Sequence, residues 1–209
     1  MFYFAKTPGW LKMLFPGRTW DIKTTKKELY LSFDDGPHPE ITSFVLDELK
    51  RYDAKASFFC IGKNVVASPE IYRRILDEGH AVGNHTFKHL NGWKVSNKEY
   101  LRDIQEASLY IDSKLYRPPY GRMTRFQQKL VENKMEVIMW SILSGDFDTS
   151  ISPERCLSNV LLNIHPGAII VFHDSEKAFP LLKEVLPKAL KYLSERGYVF
   201  KALKETEGL

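Results

Sequence analysis

Short apolar runs alternate along this chain with stretches of helical period. Leu29-Tyr30-Leu31-Ser32-Phe33 has the pattern of a strand, and Asp34-Asp35-Gly36-Pro37 stops it. A helix is expected from Pro39, with Phe44, Leu46 and Leu49 as its apolar positions and its end near Tyr52. Ala56 to Ile61 predicts the next strand. A helix bearing Ile71, Ile75 and Leu76 follows and ends at Glu78-Gly79. Ala81-Val82-Gly83 is a short third strand. Ser96 and Glu99 have capping-box spacing and open a helix carrying Leu101, Ile104, Leu109 and Ile111. Val137 to Ile142 and Ala168 to Phe172 are apolar without a break, as in strands buried on both faces. Ser152-Pro153-Glu154 starts the helix between them. The last helix, Pro180 to Arg196, should kink at Pro187 and stop at Gly197 before the strand Tyr198-Val199-Phe200.

Six or seven strand–helix units imply an α/β fold with a parallel sheet covered by helices. That number can close a barrel, but 209 residues fall short of the ~250 of a full eight-unit one. No repeat or linker divides the chain, so one domain is expected. Composition adds mostly exclusions. Hydrophobic residues at 44% and charged residues at 27% rule out a disordered chain. Lysine and arginine number 30 against 26 acids, spread along the chain, so no nucleic-acid partner is expected. Cys60 and Cys156 are too few for a disulfide scaffold or a cysteine-rich zinc site, and Cys60 within Phe58-Phe59-Cys60-Ile61 should be a buried hydrophobe. No run approaches the ~20 apolar residues of a membrane span. Lys6, Pro8, Gly9, Lys12 and Pro16 break any signal-peptide core, so the compartment is read as cytoplasmic. Residues 2–20 hold Phe2, Tyr3, Phe4, Trp10, Leu11, Met13, Leu14, Phe15 and Trp20 with Lys6, Lys12 and Arg18, and no acid before Asp21. Such a segment suits peripheral membrane contact. The preferred alternative has these aromatics covering the bottom or flank of the barrel.

Catalytic groups of parallel α/β folds sit at the carboxyl ends of strands. Asp34-Asp35, His85 with His89, Arg117, Asp146 and His173-Asp174 all fall at such ends. Each has an ordinary reading: a capped turn, a solvated face, a rigid loop or a satisfied core histidine. Five together at successive strand ends point to one site. His85 and His89, on a helical turn or a tight loop, with one of the two aspartates make a His₂-carboxylate set for a divalent metal. The other aspartate is left free as a proton acceptor. There is no His-Glu-x-x-His, Gly-x-Ser-x-Gly, P-loop or Rossmann glycine pattern, which argues against zinc-protease, serine-esterase, NTPase and dehydrogenase classes.

Ser32-Phe33-Asp34-Asp35-Gly36-Pro37, His85-Thr86-Phe87-Lys88-His89, Arg117-Pro118-Pro119-Tyr120, Asp146-Phe147 and Val171-Phe172-His173 resemble the five ordered motifs of the polysaccharide deacetylases. This is the NodB-homology domain, or carbohydrate esterase family 4. The resemblance runs from about Leu29 to Phe200. It divides the chain into an N-terminal extension, 1–28, and a NodB-like domain, 29–209. It implies a distorted, TIM-like (β/α) barrel of about seven parallel strands. Asp35, His85 and His89 would hold the metal, zinc first, with cobalt, nickel and manganese as alternatives. Asp34 would be the general base, aimed by Arg117. The backbone N–H of Tyr120, beside Pro119, would stabilise the oxyanion. His173, backed by Asp146, would be the general acid. The family's Asp-x-x-Asp-Trp is here Leu143-Ser144-Gly145-Asp146-Phe147, and Val171 replaces a leucine. The resemblance places both family residues in the wall around the acetyl methyl. With the smaller Phe147 and Val171, that wall is expected to be set back.

The implied activity is metal-dependent removal of acetyl from an N-acetylated sugar, foremost N-acetylglucosamine in a glycan or glycoconjugate, by a monomer. Within the family, O-acetyl esterase or non-sugar amide deacylase are the alternatives. A non-heme Fe(II) oxygenase would leave Asp34 and His173 without a task. A catalytically silent glycan-binding domain would need no proton relay.

Overall fold

The computed structural model describes residues 3–205. Strand β2 (Glu28–Asp34) shows the logic of the whole fold. Leu29, Leu31 and Phe33 enter the core beneath the helices, whereas the alternate residues Ser32 and Asp34 meet Arg117 on the opposite face. Strands β3 (Ala56–Cys60) and β8 (Ile169–His173) divide the same way. Phe58, Cys60, Ile170 and Phe172 pack outward, and Phe59 and Ile169 inward. The unbroken apolar pattern of these strands thus reflects burial on both faces.

The remaining strands are β1 (Arg18–Thr19), β4 (Ala81–Asn84), β5 (Leu115–Tyr116), β6 (Glu136–Ile138), β7 (Ile142–Leu143) and β9 (Val199–Phe200). All strand pairs are parallel, in the order β1-β6-β5-β4-β3-β2-β8-β7, with β9 beside β2. The curl of this sheet follows from its connectivity. β6 lies next to one edge and β7 forms the other, yet only Met139-Trp140-Ser141 separates them. Four Cα steps reach about 14 Å at most. The two edges must therefore face one another, and the sheet wraps into a distorted barrel. In the gap, Lys6 pairs antiparallel with Ile142, and Met139 N–H donates to the Thr19 carbonyl.

The helices are α1 (Gly9–Leu14), α2 (Ile41–Lys50), α3 (Gly62–Ala67), α4 (Pro69–Asp77), α5 (Asn97–Ala107), α6 (Arg125–Glu132), α7 (Pro153–Leu161) and α8 (Phe179–Glu195). Ser152 and Ser96 cap α7 and α5, each accepting a backbone N–H. The helix expected to end at Glu78-Gly79 is α4, set off from α3 at Ser68 because the residue before a proline leaves the helical region. Two expectations need correction. The helix opened by Ser96 stops at Ala107, and Leu109 is exposed while Ile111 is buried beyond its end. The strand expected over 137–142 is two strands with a crossing between them. The last helix is α8, with Pro187 inside it. Strand β5 and helix α6 were not predicted.

The N-terminal segment lies on the barrel flank. Trp20 is buried with Tyr100, Tyr116, Val137 and Met139, and Leu11 and Phe15 pack on them. Phe4, Trp10, Met13 and Leu14 stay exposed, and Phe2 lies outside the described residues. No described helix is long and apolar enough to cross a membrane. Both cysteines are buried and free. Leu203 joins Phe59, Leu115, Ile138 and Ile169, and its N–H donates to Ser57 Oγ at 2.8 Å. This late residue therefore fills the barrel interior. Leu203→Ala should destabilise the protein by about 2–5 kcal/mol in urea denaturation, the usual cost of a leucine-sized cavity.

Candidate metal and acid–base centre

The carboxyl ends of the strands open into a cavity of about 880 Å³ lined by Asp34, Asp35, His85, His89, Tyr120 and His173, among others. Asp34 ends β2, where Arg117 Nη1 donates to its Oδ1 at 2.6 Å. Arg117 is fully buried. It also donates to Ser32 Oγ at 2.8 Å, the Ile138 carbonyl at 3.1 Å and the Met139 carbonyl at 2.9 Å. Its guanidinium lies 3.9 Å from the centre of the Phe59 ring. Burial pulls the Arg117 pKa down and the Asp34 carboxylate opposes this.

Asp35, one residue on, turns away with φ 84°. Its Oδ1 is buried and accepts no hydrogen bond, although it lies 3.1 Å from His89 Nε2 and 3.8 Å from His85 Nε2. The ligand atoms of these three residues fall within 4.8 Å of one another. His85 Nδ1 lies 2.7 Å from the Arg117 carbonyl, which can only accept. That nitrogen therefore carries the proton, and Nε2 presents its lone pair to Asp35. Burial brings the His85 pKa down to about 4, so the ring is neutral near pH 7. Burial would raise the Asp35 pKa, but the neighbouring His89, His173 and His85 hold it well below the usual carboxylate range. A buried carboxylate oxygen without a donor, facing two imidazole nitrogens, suits a cation.

The two histidines lie on a tight loop in which Thr86 and His89 have φ of 64° and 59°. Asp103, buried on α5, receives the N–H groups of Phe87 and Lys88 at 2.9 Å and so holds this loop. Opposite, His173 Nδ1 and the His173 backbone N–H meet the Asp146 carboxylate at 2.8 and 2.7 Å. Burial disfavours the charged ring, but Asp146 prevails and brings the His173 pKa up to about 9. Asp174 accepts the Gly36 N–H at 3.0 Å and the Thr42 hydroxyl at 2.5 Å. A Cβ at Gly36 would stand 2.1 Å from Asp174 Oδ2, so only glycine fits there. Burial holds the Asp174 pKa up at about 7.

Of the residues singled out from the sequence, Asp34, Asp35, His85, His89, Tyr120, Phe147, Val171 and His173 line this cavity, while Arg117 and Asp146 bond to Asp34 and His173 and, like Pro119, do not line it. Tyr120, with φ 60° after Pro119, has its ring centre 4.6 Å from that of His89, the two planes tilted by 56°. Phe147 packs 5.1 Å from the His173 ring, and Val171 lines the same wall. The sequence reading missed the roles of Asp103 and Asp174. For Asp103 a signal existed: it is an acid on the apolar face that Tyr100, Ile104 and Ala107 bury. Removing Arg117 leaves Asp34 buried and unpaired. Arg117→Ala should therefore cost about 3–5 kcal/mol in urea denaturation at pH 7.

Residues 21–137 match the family model for polysaccharide deacetylase. Two Bacillus cereus proteins, both named peptidoglycan-N-acetylglucosamine deacetylase, are similar to the chain. One is 38% identical over 157 residues, covering 72% of this chain and 57% of the relative. The other is 31% identical over 194 residues, covering 90% and 91%. The chain thus spans little more than half of the first relative and nearly all of the second. A crystal structure of a peptidoglycan N-acetylglucosamine deacetylase superimposes with TM-score 0.85 at 32% identity, over 94% of this chain and 95% of that one.

Proposed function

The chain belongs to the polysaccharide deacetylase family, and on that premise we propose that it is a metal-dependent hydrolase that removes the acetyl group from N-acetylglucosamine in a peptidoglycan-type glycan. One observation carries the reading: the donorless Asp35 Oδ1 faces two imidazole nitrogens, between an arginine-paired aspartate and a carboxylate-backed histidine. The similarity to two peptidoglycan-N-acetylglucosamine deacetylases supports the substrate class.

Asp35, His85 and His89 would hold the cation. Zinc is the first choice for two imidazoles and a carboxylate. When bound, such an ion polarises the acyl carbonyl and acidifies water. The rest of the chemistry falls to the chain. Arg117 fixes the Asp34 carboxylate, which accepts the proton of the attacking water. The backbone N–H of Tyr120 donates to the oxyanion as the carbonyl becomes tetrahedral. His173, with Nδ1 committed to Asp146, donates from Nε2 to the departing nitrogen. An amide needs this step because an unprotonated amine leaves poorly. Phe147 and Val171 line the cavity beside that histidine. This paired acid and base favours hydrolysis over an oxygenase or a silent glycan binder.

Acetate release from N-acetylglucosamine oligomers and peptidoglycan should be abolished by a chelator and restored by zinc. Asp34→Asn should retain the metal and lose at least ~10²-fold in rate, the scale of general-base catalysis. Asp35→Asn and His89→Ala should instead lower metal content. Elemental analysis of the purified variants decides this, and an Asp34→Asn protein without metal would reverse the two aspartates.

The pH profile tests the acid. His173 must be protonated to act, so kcat/KM should fall as pH rises through its pKa. Asp146 raises that pKa towards about 9. Asp146→Asn should accordingly move the basic limb to lower pH, and His173→Ala should remove it. A basic limb that stays in place in both variants would assign the acid to another group.

A further inference from the structure

The cavity has one apolar corner, where Leu143, Phe147 and Val171 surround His173, and one of its walls comes from the distant N-terminal segment. Tyr3 lines the cavity there, its ring 5.2 Å from Phe147, which in turn lies 5.1 Å from the His173 ring. The segment is anchored. Leu143 N–H donates to the Ala5 carbonyl and Thr7 N–H to the Ser141 carbonyl, both at 2.9 Å, while Thr7 Oγ1 donates to the Trp140 carbonyl at 2.8 Å. With the antiparallel pairing of Lys6 and Ile142, these bonds add residues 5–7 to the exposed edge of β7.

The phenol has a built seat. Burial and the neighbouring Asp148 carboxylate push the Tyr3 pKa up to about 12, so the phenol stays neutral. Gly145 makes room for it: with φ 81°, a Cβ there would stand 2.6 Å from the Tyr3 hydroxyl oxygen. The close fit of the hydroxyl over Gly145 at one end and ring packing on Phe147 at the other hold the side chain as a wall. The retreat of the wall expected from Phe147 and Val171 alone is thereby countered from a part of the chain more than a hundred residues away in sequence.

We infer that Tyr3 is an acyl-specificity residue of this site. The inference rests on the deacetylase reading. With the acyl carbonyl at Asp35, His85 and His89 and the leaving nitrogen at His173, the apolar corner beside His173 receives the acyl alkyl end, the one apolar part of an N-acetylated sugar. Tyr3, behind Phe147, sets how long that end can be. It touches none of the reacting groups, so its removal changes selectivity and leaves the acid–base chemistry in place.

The test compares kcat/KM for N-acetyl, N-propionyl and N-butyryl glucosamine oligomers in the zinc-loaded parent, Tyr3→Ala, Tyr3→Phe and Tyr3→Trp proteins. A methylene in an apolar pocket is worth roughly 10–200-fold in discrimination. Tyr3→Ala should raise the propionyl-to-acetyl ratio by about 10-fold or more, with zinc content and pH profile unchanged. Tyr3→Phe keeps the ring and should stay near the parent ratio, and Tyr3→Trp should lower it. An equal loss on all three acyl groups in Tyr3→Ala, or a ratio unmoved in both Tyr3→Ala and Tyr3→Trp, overturns the assignment while the parent's acetate release upholds the deacetylase reading. A zinc-loaded parent inactive on every acylated sugar overturns that reading and the assignment with it.

Discussion

A fully buried guanidinium is the constraint on which both barrel and site depend. Arg117 donates to the ends of two strand segments, to Ser32 and Asp34 on β2 and to the Ile138 and Met139 carbonyls where the chain leaves β6. Its own carbonyl meets His85 Nδ1. One residue therefore orients the proposed base, selects the tautomer of a proposed metal ligand and ties the crossing that brings the sheet edges together. Desolvating two charges costs several kcal/mol per ion before pairing, and the close bond to Asp34 with three further acceptors offsets that cost. Four acceptors on β2 and at the end of β6 fix where the guanidinium sits.

Around this centre, like residues are driven to opposite states by their neighbours. His85 is buried against a carbonyl and is neutral near pH 7, with its pKa down at about 4. His173 is held by Asp146, with its pKa up at about 9. One imidazole is left with a lone pair to give and the other with a proton. Asp35 is kept ionised by histidines, whereas burial raises Asp174 while the Gly36 N–H and Thr42 hydroxyl bind it. Separation of otherwise identical groups by environment is what lets hydrolytic sites run acid and base chemistry at one pH.

The backbone carries a matching load. Asp35, Thr86, His89 and Tyr120 all have positive φ and all line or border the cavity. Such conformations cost of order 1–3 kcal/mol each for non-glycine residues and persist only where surroundings enforce them. Here the enforcement is visible: Asp174 grips Gly36 beside Asp35, and Asp103 grips the loop between the two histidines.

Much of this was legible locally. The strands β2 and β8 as apolar runs, the serine caps of α5 and α7 and the polar residues at strand ends follow from patterning and spacing, which neighbouring residues decide among themselves. The resemblance to the family then ordered the candidate site residues. Strand β5, only two residues long, has no period to read. The apolar run 137–142 looks the same as one strand or two, because its break serves closure of the sheet rather than any local preference. Asp174, Tyr3 and Leu203 act on partners more than a hundred residues away, where no pattern links them. The sequence by itself determined which groups could do chemistry and on which strands they end. The tertiary structure alone decided their protonation, their tautomers and the shape of the wall beside them, because desolvation and contact depend on what the folded chain brings within a few ångströms.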